Sequence, residues 1–202
     1  MKKIIALLLM LTLSFALVAC GEPEPPVDPE PTPEEIFAAK VNGFASAVAA
    51  TSPATAHITV KSENADYGEL NATFDVTYNT DGSIVIDYSV DRLGAINESF
   101  IVTETGRVTC DKDGNYVSGN SFSGTVSAPV AFVINLALFE NIRIEGYNLF
   151  GKVSAANTEA AIGVAIDADV NVVVTKNAGK ITSMVASYVK DNSTVSIDCN
   201  FN

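Results

Sequence analysis

The sequence predicts an α+β domain that is mostly antiparallel β: a curved sheet packed over an N-terminal helix and a mid-chain apolar helix. Three observations predict it. Apolar residues recur with helical spacing before residue 50, alternate with polar residues over most of the chain after residue 56, and run almost unbroken from Pro129 to Phe139. A period of two is typical of strands with one apolar face and one solvent-exposed face, and helical spacing indicates a helix with one apolar face.

The N-terminal helix begins next to Thr32. The letters TPEE place Thr32 as the N-cap, Pro33 at the first helical position and Glu35 three residues after the cap, which is a capping box. Pro53 in TSPAT forbids continuation, so the helix ends before it. Four apolar residues share one helical face in between: Phe37, Val41, Phe44 and Val48.

The first half of the domain predicts strands and hairpins. HITVKSE is a short strand, and two alternating runs around TDG at 80–82 form a hairpin. SFIVTE predicts a further strand, and RVTC and NYVS predict a second hairpin around DKDG. The apolar face of the first hairpin carries Phe74, Val76, Tyr78, Ile84, Ile86 and Tyr88.

The second half begins with the apolar run. Ser127 and Pro129 suit a helix start, so the run predicts a buried helix, with a strand as the alternative. Strand pieces with a short helical insert near Thr158 to Ile162 follow. DVNVVVT, KITSMVASYVK and STVSIDCNFN then predict an antiparallel meander. Its inward positions are Val170, Val172, Val174, Val195, Ile197, Cys199 and Phe201.

The first residues are typical of a targeting segment. Lys2 and Lys3 precede an apolar run from Ile4 to Val18, which is short of the roughly 20 residues that span a bilayer. The letters LVAC resemble the lipobox of bacterial lipoprotein precursors. By that resemblance residues 1–19 are a lipoprotein signal peptide, Cys20 carries the lipid, and the protein is extracytoplasmic and anchored to the bacterial membrane. The alternative is an ordinary signal peptide with a chance cysteine.

Residues 20–33 predict a tether. The segment contains six of the eight prolines together with acidic residues and no Lys or Arg. Such a segment has little to bury, and it favours an extended, solvated chain. Residues 34–202 are then a single β-rich extracytoplasmic domain.

Charge and motifs exclude several function classes. A formal net charge of −12 argues against nucleic acid as a partner. His57 is the sole histidine, which argues against a histidine-rich metal centre and against a histidine-based catalytic triad. No glycine-rich phosphate loop is present. We therefore expect no catalytic residues, no metal and no cofactor, in a protein that is not an enzyme.

Two cysteines remain in the domain, Cys110 and Cys199, both at inward positions of their strands. Outside the cytoplasm an even pair is a candidate disulfide. The alternative is two small buried apolar side chains.

The order of these elements resembles the LolA/LppX superfamily of bacterial lipoproteins and lipoprotein-localisation factors. The resemblance covers residues 34–202 and rests on layout rather than on a residue motif. It implies an unclosed antiparallel barrel over helices, with an apolar cavity that accepts acyl chains.

The expected function is a membrane-anchored, non-enzymatic lipoprotein that binds a lipid or lipopeptide under the sheet. The alternative is a surface scaffold with a filled core and a protein partner of unknown identity. The candidate cavity lining is Phe74, Val76, Tyr78, Ile84, Ile86, Tyr88, Val172, Val174, Val195, Ile197 and Phe201.

Overall fold

A computed structural model describes residues 30–64, 68–93, 101–111, 115–120 and 128–202. The described part of the chain forms one antiparallel sheet of ten strands. The first five strands are β1 Thr55–Asn64, β2 Gly68–Tyr78, β3 Ile84–Leu93, β4 Ile101–Cys110 and β5 Tyr116–Gly119. The second five are β6 Glu140–Glu145, β7 Asn148–Val153, β8 Val170–Asn177, β9 Lys180–Lys190 and β10 Ser193–Phe201.

The strand order is β5-β4-β3-β2-β1-β10-β9-β8-β7-β6. Two meanders of five strands are therefore joined by pairing between the first strand and the last. This seam runs the full length of β1, from Ala56 opposite Phe201 to Asn64 opposite Ser193. β5 and β6 lie at opposite ends of the order, so the described strands form an unclosed sheet, as the resemblance to the LolA/LppX superfamily implies.

Helix α1 spans Pro33–Ala50, and its start and end confirm the prediction. The Thr32 backbone N–H donates to Glu35 Oε2 at 2.7 Å, and the Glu35 N–H donates to Thr32 Oγ1 at 3.2 Å. The predicted apolar face is buried only toward the C-terminal end of the helix. Phe44 is buried and Val48 is half-buried, but Phe37 is 43% exposed.

The predicted mid-chain helix is wrong. Residues 128–139, which we call the strap, are irregular except for a 3₁₀ turn at Leu136–Leu138. The Asn135 side chain accepts a hydrogen bond from the Ala137 N–H and so starts only this short turn. Six of the twelve strap residues are Pro, Val, Ile or Phe, which are weaker helix formers than Ala or Leu. The Asn135 N–H bonds to the Ala161 carbonyl instead of to a helical neighbour.

Other boundaries differ less. The last four residues of SFIVTE belong with RVTC to the one strand β4, although the two were predicted as separate strands; Ser99 and Phe100 lie outside the described residues. β4 pairs with β3 along its whole length. Helix α2 at Thr158–Ile162 is the predicted short insert, and it follows a 3₁₀ turn at Ala155–Asn157. The closing meander is confirmed in its order and its inward positions.

The core lies on one face of the sheet, which we call the inner face. Inward residues of β1, β2, β8, β9 and β10 are almost completely buried, and the last turns of α1, the strap and α2 lie with them in one apolar cluster. Thr158 is the one fully buried polar residue among those described. Its hydroxyl accepts from the Ile166 N–H at 2.8 Å, and the Ile166 carbonyl lies 3.2 Å away to receive its proton.

Candidate functional site

The predicted lining residues all lie on the inner face. Registers place Phe74 opposite Tyr88 and Val76 opposite Ile86 in the β2–β3 hairpin, and Val172 next to Val174 along the strand face of β8. All except Tyr78 are buried, and Tyr78 is half-buried. Their shared face matches the sequence reasoning. Whether they line a ligand cavity stays a prediction.

The strap crosses this face and is attached at a few points. The Tyr78 hydroxyl donates to the Val130 carbonyl at 3.0 Å. Phe132 meets Phe201 edge-on, with ring centroids 5.0 Å apart. Phe139 lies over Gly151 of β7, where a Cβ would come within 2.8 Å of the ring. The strap therefore runs from the end of β2, past β10, to β7.

Helix α1 covers a different part of the inner face. Lys176 Nζ lies 4.4 Å from the centroid of the Phe44 ring, a cation–π contact at the end of β8. Thr51, just after the helix, donates to the Ala47 carbonyl and accepts from the Ile181 N–H at 2.8 Å. The last turns of α1 are thereby held against β8 and β9.

Tyr88 has a separate arrangement on β3. Its ring occupies the space above Gly106 on the neighbouring strand, where an added Cβ would lie 2.5 Å from the hydroxyl oxygen. Burial raises the pKa of Tyr88, and the nearby Glu104 carboxylate, to which it is hydrogen-bonded, raises it further. Glu104 lies on the inward parity of β4, opposite Val90. A phenol and a carboxylate thus lie together on a mostly apolar face.

The two domain cysteines are free thiols in the structure, and both are buried. A disulfide between them is not formed, because β4 and β10 are separated in the sheet by β3, β2 and β1. The alternative of two buried apolar side chains describes the arrangement. Burial raises the pKa of Cys199 to about 12 and, with Asp111 adding to the effect, raises that of Cys110. Cys20 lies outside the described residues, so lipid attachment stays a prediction.

His57 has a partner that sequence reasoning missed. Its Nδ1 lies 2.7 Å from Asp75 Oδ1, on the solvent-exposed outer face of the sheet. The two residues face each other in the β1–β2 register, a long-range pairing without a local sequence signal. On the other side, the register places Asn200 beside His57, and Ser183 one strand further. Among the described residues no cluster of three metal-ligating side chains is present.

Cavities lined by described residues include the following three. One of about 320 Å³ lies on the outer face between Arg143, Phe150 and Val173. One of about 390 Å³ lies where α1 gives way to β1, between Pro53, Ile181 and Phe201. The third, which we call the outer groove, has a volume of about 630 Å³ and is lined by Lys152, Asp169, Asn171, Ser187, Tyr188 and Thr194, with Val189 at its rim.

The sequence did not point to the outer groove, because its members come from four strands and one loop. Asp169 pairs with Lys152, with Nζ 2.7 Å from Oδ2, and Asp167 pairs with Lys190 at 3.2 Å. The alternation in DVNVVVT does indicate that Asn171 faces outward. The convergence of these side chains depends on strand register, which that pattern does not contain.

Comparisons with known proteins do not assign the chain to a family. No family model matches it, and no curated protein matches it. Among solved structures, LprF from Mycobacterium bovis is similar over 85% of this chain and 94% of that chain, with 16% identity and a TM-score of 0.46. The dehydratase domain of the terminal module of the rifamycin polyketide synthase is 12% identical, covering 72% and 74% of the two chains, with a TM-score of 0.20. We base no functional argument on likenesses this weak.

One further observation concerns membranes. In the described part of the chain, no helix combines the length and the apolar character that crossing a bilayer requires.

Proposed function

We propose that the protein is a lipid-anchored, extracytoplasmic, non-enzymatic lipoprotein, attached through Cys20, that binds the acyl chain of a lipid or lipopeptide on the inner face of its sheet. The anchor is supported by the lipobox LVAC followed by the proline-rich acidic tether. The ligand site is supported by one structural observation: a broad apolar face is covered partly by an irregular strap rather than by a second helix.

The strap explains how a buried face accepts a ligand. Val130, Phe132, Leu136 and Leu138 are only partly buried, although they pack against the core cluster. An acyl chain that displaces these side chains covers the same apolar surface of the sheet. The sheet therefore keeps the free energy of burying that surface, roughly 25 cal/mol per Å². Binding then requires the strap to move and does not require a permanently open cavity.

The Tyr78 hydroxyl is the contact to alter. Tyr78→Phe removes its hydrogen bond to the Val130 carbonyl and leaves the ring in place. We expect this variant to take up a fluorescent fatty acid faster than the wild type. Tyr116→Phe is the matched control, because the Tyr116 hydroxyl bonds to the carbonyl of Gly119 on the far strand β5.

The experiment has two readouts. Mass spectrometry of the protein extracted from its membrane detects co-purified, non-covalent lipid. Stopped-flow fluorescence measures uptake of the fatty acid by the wild type and both variants. Absence of co-purified lipid together with no uptake in any variant refutes the ligand-binding part of the proposal and leaves the anchor untouched.

The burial of the inner face favours a second candidate function. Ile197, Val172 and Phe74 are among the inward residues that solvent scarcely reaches, which is the state of a filled core at ordinary packing density. In that case the protein is a surface scaffold whose outer face meets another protein. The same lipid measurements distinguish the two candidates, because a scaffold neither retains nor takes up lipid.

A further inference from the structure

Strands β9 and β10 separate at one end of the sheet. The pair that ends their ladder on this side is Ser183 opposite Asn200. Beyond it, β9 stays paired with β8, and β10 stays paired with β1, where Phe201 lies opposite Ala56. The two neighbouring strands thus form a fork, with the end of β9 on one side and the end of β10 on the other.

The segment that follows α1 bridges the two sides of the fork. On the side of β9, Thr51 Oγ1 accepts a hydrogen bond from the Ile181 N–H at 2.8 Å. On the side of β10, the N–H groups of Ala54 and Thr55 both donate to the Asn202 carbonyl, at 2.8 Å and 3.1 Å. Hydrogen bonds to both strands therefore hold this segment in place between their separated ends.

The cavity of about 390 Å³ lies in the fork, and we call it the fork cavity. Its lining includes Ile181 and Phe201, which are 2% and 7% exposed and belong to the apolar cluster of the inner face. Phe201 in turn meets the ring of Phe132 in the strap. The fork cavity is therefore continuous with the face that the strap covers, and its volume is within the range of small-ligand sites, roughly 300–1,000 Å³.

The fork cavity changes in character from its rim to its wall. Ser52, Asn177 and Lys180 are exposed at the rim, whereas Ile181 and Phe201 are buried in the wall. A lipid bound on the inner face needs such a boundary. Its acyl chain gains free energy by leaving water, but burying its polar head group would cost free energy, so the head must stay at an opening.

We propose that the fork cavity is the entrance to the lipid site: the acyl chain passes between the ends of β9 and β10, displaces Phe132 from Phe201 and lies under the strap, while the head group stays at the rim. This inference rests on the proposed function and adds an orientation to it. The head group lies at the end of β9, and the methyl end of the chain lies against residues 128–139.

Photo-crosslinking tests this orientation on the full-length, lipid-anchored protein in phosphatidylcholine vesicles. The probes are two forms of palmitic acid, one with a diazirine beside the carboxyl group and one with a diazirine at the methyl end. Mass spectrometry of the digested protein locates the labelled peptides, and excess unlabelled palmitic acid identifies the labelling that is saturable. We expect the carboxyl-end probe to label residues 51–53 or 177–182, and the methyl-end probe to label the strap.

A reversible comparison on one protein tests the entrance itself. Ser52→Cys introduces an accessible thiol at the rim, because Cys110 and Cys199 are both buried. Coupling a bulky maleimide to this thiol should abolish labelling of the strap by the methyl-end probe, and the same protein before coupling is the control for folding. Asn171→Cys in the outer groove, coupled in the same way, should leave that labelling unchanged.

The outcomes separate this inference from the proposed function. Saturable labelling of the strap by the methyl-end probe, with the carboxyl-end probe attached outside the fork, overturns the entrance and leaves the lipid site standing. Labelling that persists after the Ser52→Cys protein is coupled to maleimide also overturns it. If neither probe labels the strap or the fork in a saturable way, the entrance and the ligand-binding part of the proposed function both fail.

Discussion

The Thr158 hydroxyl satisfies the backbone of a buried loop. It holds the N–H of Ile166 and lies within reach of the Ile166 and Ala155 carbonyls, all in the dry interior beside α2. Thr158→Val keeps the shape of the side chain but leaves the buried Ile166 N–H without a hydrogen-bond acceptor. We therefore expect the free energy of unfolding, measured by urea denaturation, to fall by about 1–3 kcal/mol. Thr182→Val is the control, because its hydroxyl makes only a 3.5 Å contact. Equal losses in the two variants would contradict this role.

Gly106 is required by the Tyr88 ring rather than by the backbone. A Cβ at this position would come within 2.5–2.8 Å of the phenol, which lies on the neighbouring strand. Gly106→Ala should therefore lower the free energy of unfolding by about 1–3 kcal/mol. In a Tyr88→Ala background the same change should cost nothing, and a double-mutant cycle in urea measures that coupling. Additive effects would show that the ring is not the obstacle.

The half-buried phenol of Tyr78 and the buried thiol of Cys199 make the stability of the fold depend on pH in the alkaline range. Burial, followed by the charge of Cys199, raises the pKa of Tyr78 to about 12, and burial, followed by the charge of Asp198, raises that of Cys199 to about 12. Both stay protonated in the folded protein, whereas in the unfolded chain they ionise near their ordinary values of 10.0 and 9.0. The unfolded state then binds fewer protons, so stability is fully present below pH 9 and falls between pH 9 and pH 12.

Urea unfolding at pH 8, 9 and 10 measures this dependence. Cys199→Ala should flatten the decline, because it removes the group that ionises first. A decline that is equally steep in this variant would assign the pH dependence to other groups.

At the scale of elements, a strand or helix can be predicted from the sequence where its apolar and polar residues follow a clear period. The β2–β3 hairpin and β10 alternate cleanly, and their inward residues are the ones predicted. The strap has no such pattern: Asn135 is its one polar residue, so its apolar residues do not alternate with polar ones. A continuous apolar run gives no period from which to choose a conformation.

β4 shows a different limit. Gly106 between two strand-like runs reads as an interruption in the sequence, yet the strand continues through it. The glycine serves the packing of Tyr88 from another strand, and no local pattern contains that information. The outer groove eluded prediction for the same reason, because Lys152, Asn171 and Ser187 meet only through register.

The β1–β10 seam is the element that we expect to be most sensitive to loss of apolar volume. Ile197 is fully buried between Val60 of β1 and Ala186 of β9. Ile197→Ala should lower the free energy of unfolding by about 2–5 kcal/mol. The adjacent Asp198→Ala, on the exposed side of the same strand, should change it by less than about 0.5 kcal/mol. Chemical denaturation of both variants checks the contrast, and similar losses would argue against the seam as the centre of the core.

At the scale of the whole molecule, the proposed lipid anchor on Cys20 can be tested by a single substitution. Cys20→Ser should block lipidation and leave the protein either uncleaved or released from the membrane. Membrane fractionation and intact-mass measurement read this directly. Cys110→Ser should remain anchored, since Cys110 is a buried residue of β4. A Cys20→Ser protein that still carries lipid would rule out this residue as the attachment point.

The pairing of β1 with β10 also affects how the chain folds while it is being synthesised. β1 pairs with β2 soon after both are made, but its other neighbour lies at the far end of the domain: Asn64 bonds to Ser193, 129 residues later. During synthesis from the N-terminus, the edge of β1 that will pair with β10 therefore stays unpaired, beside an apolar face, until the intervening strands have been made. An open edge of that kind pairs readily with other chains. Shortened products that stop before β10 should consequently aggregate, whereas a full chain protects its own first strand with its last.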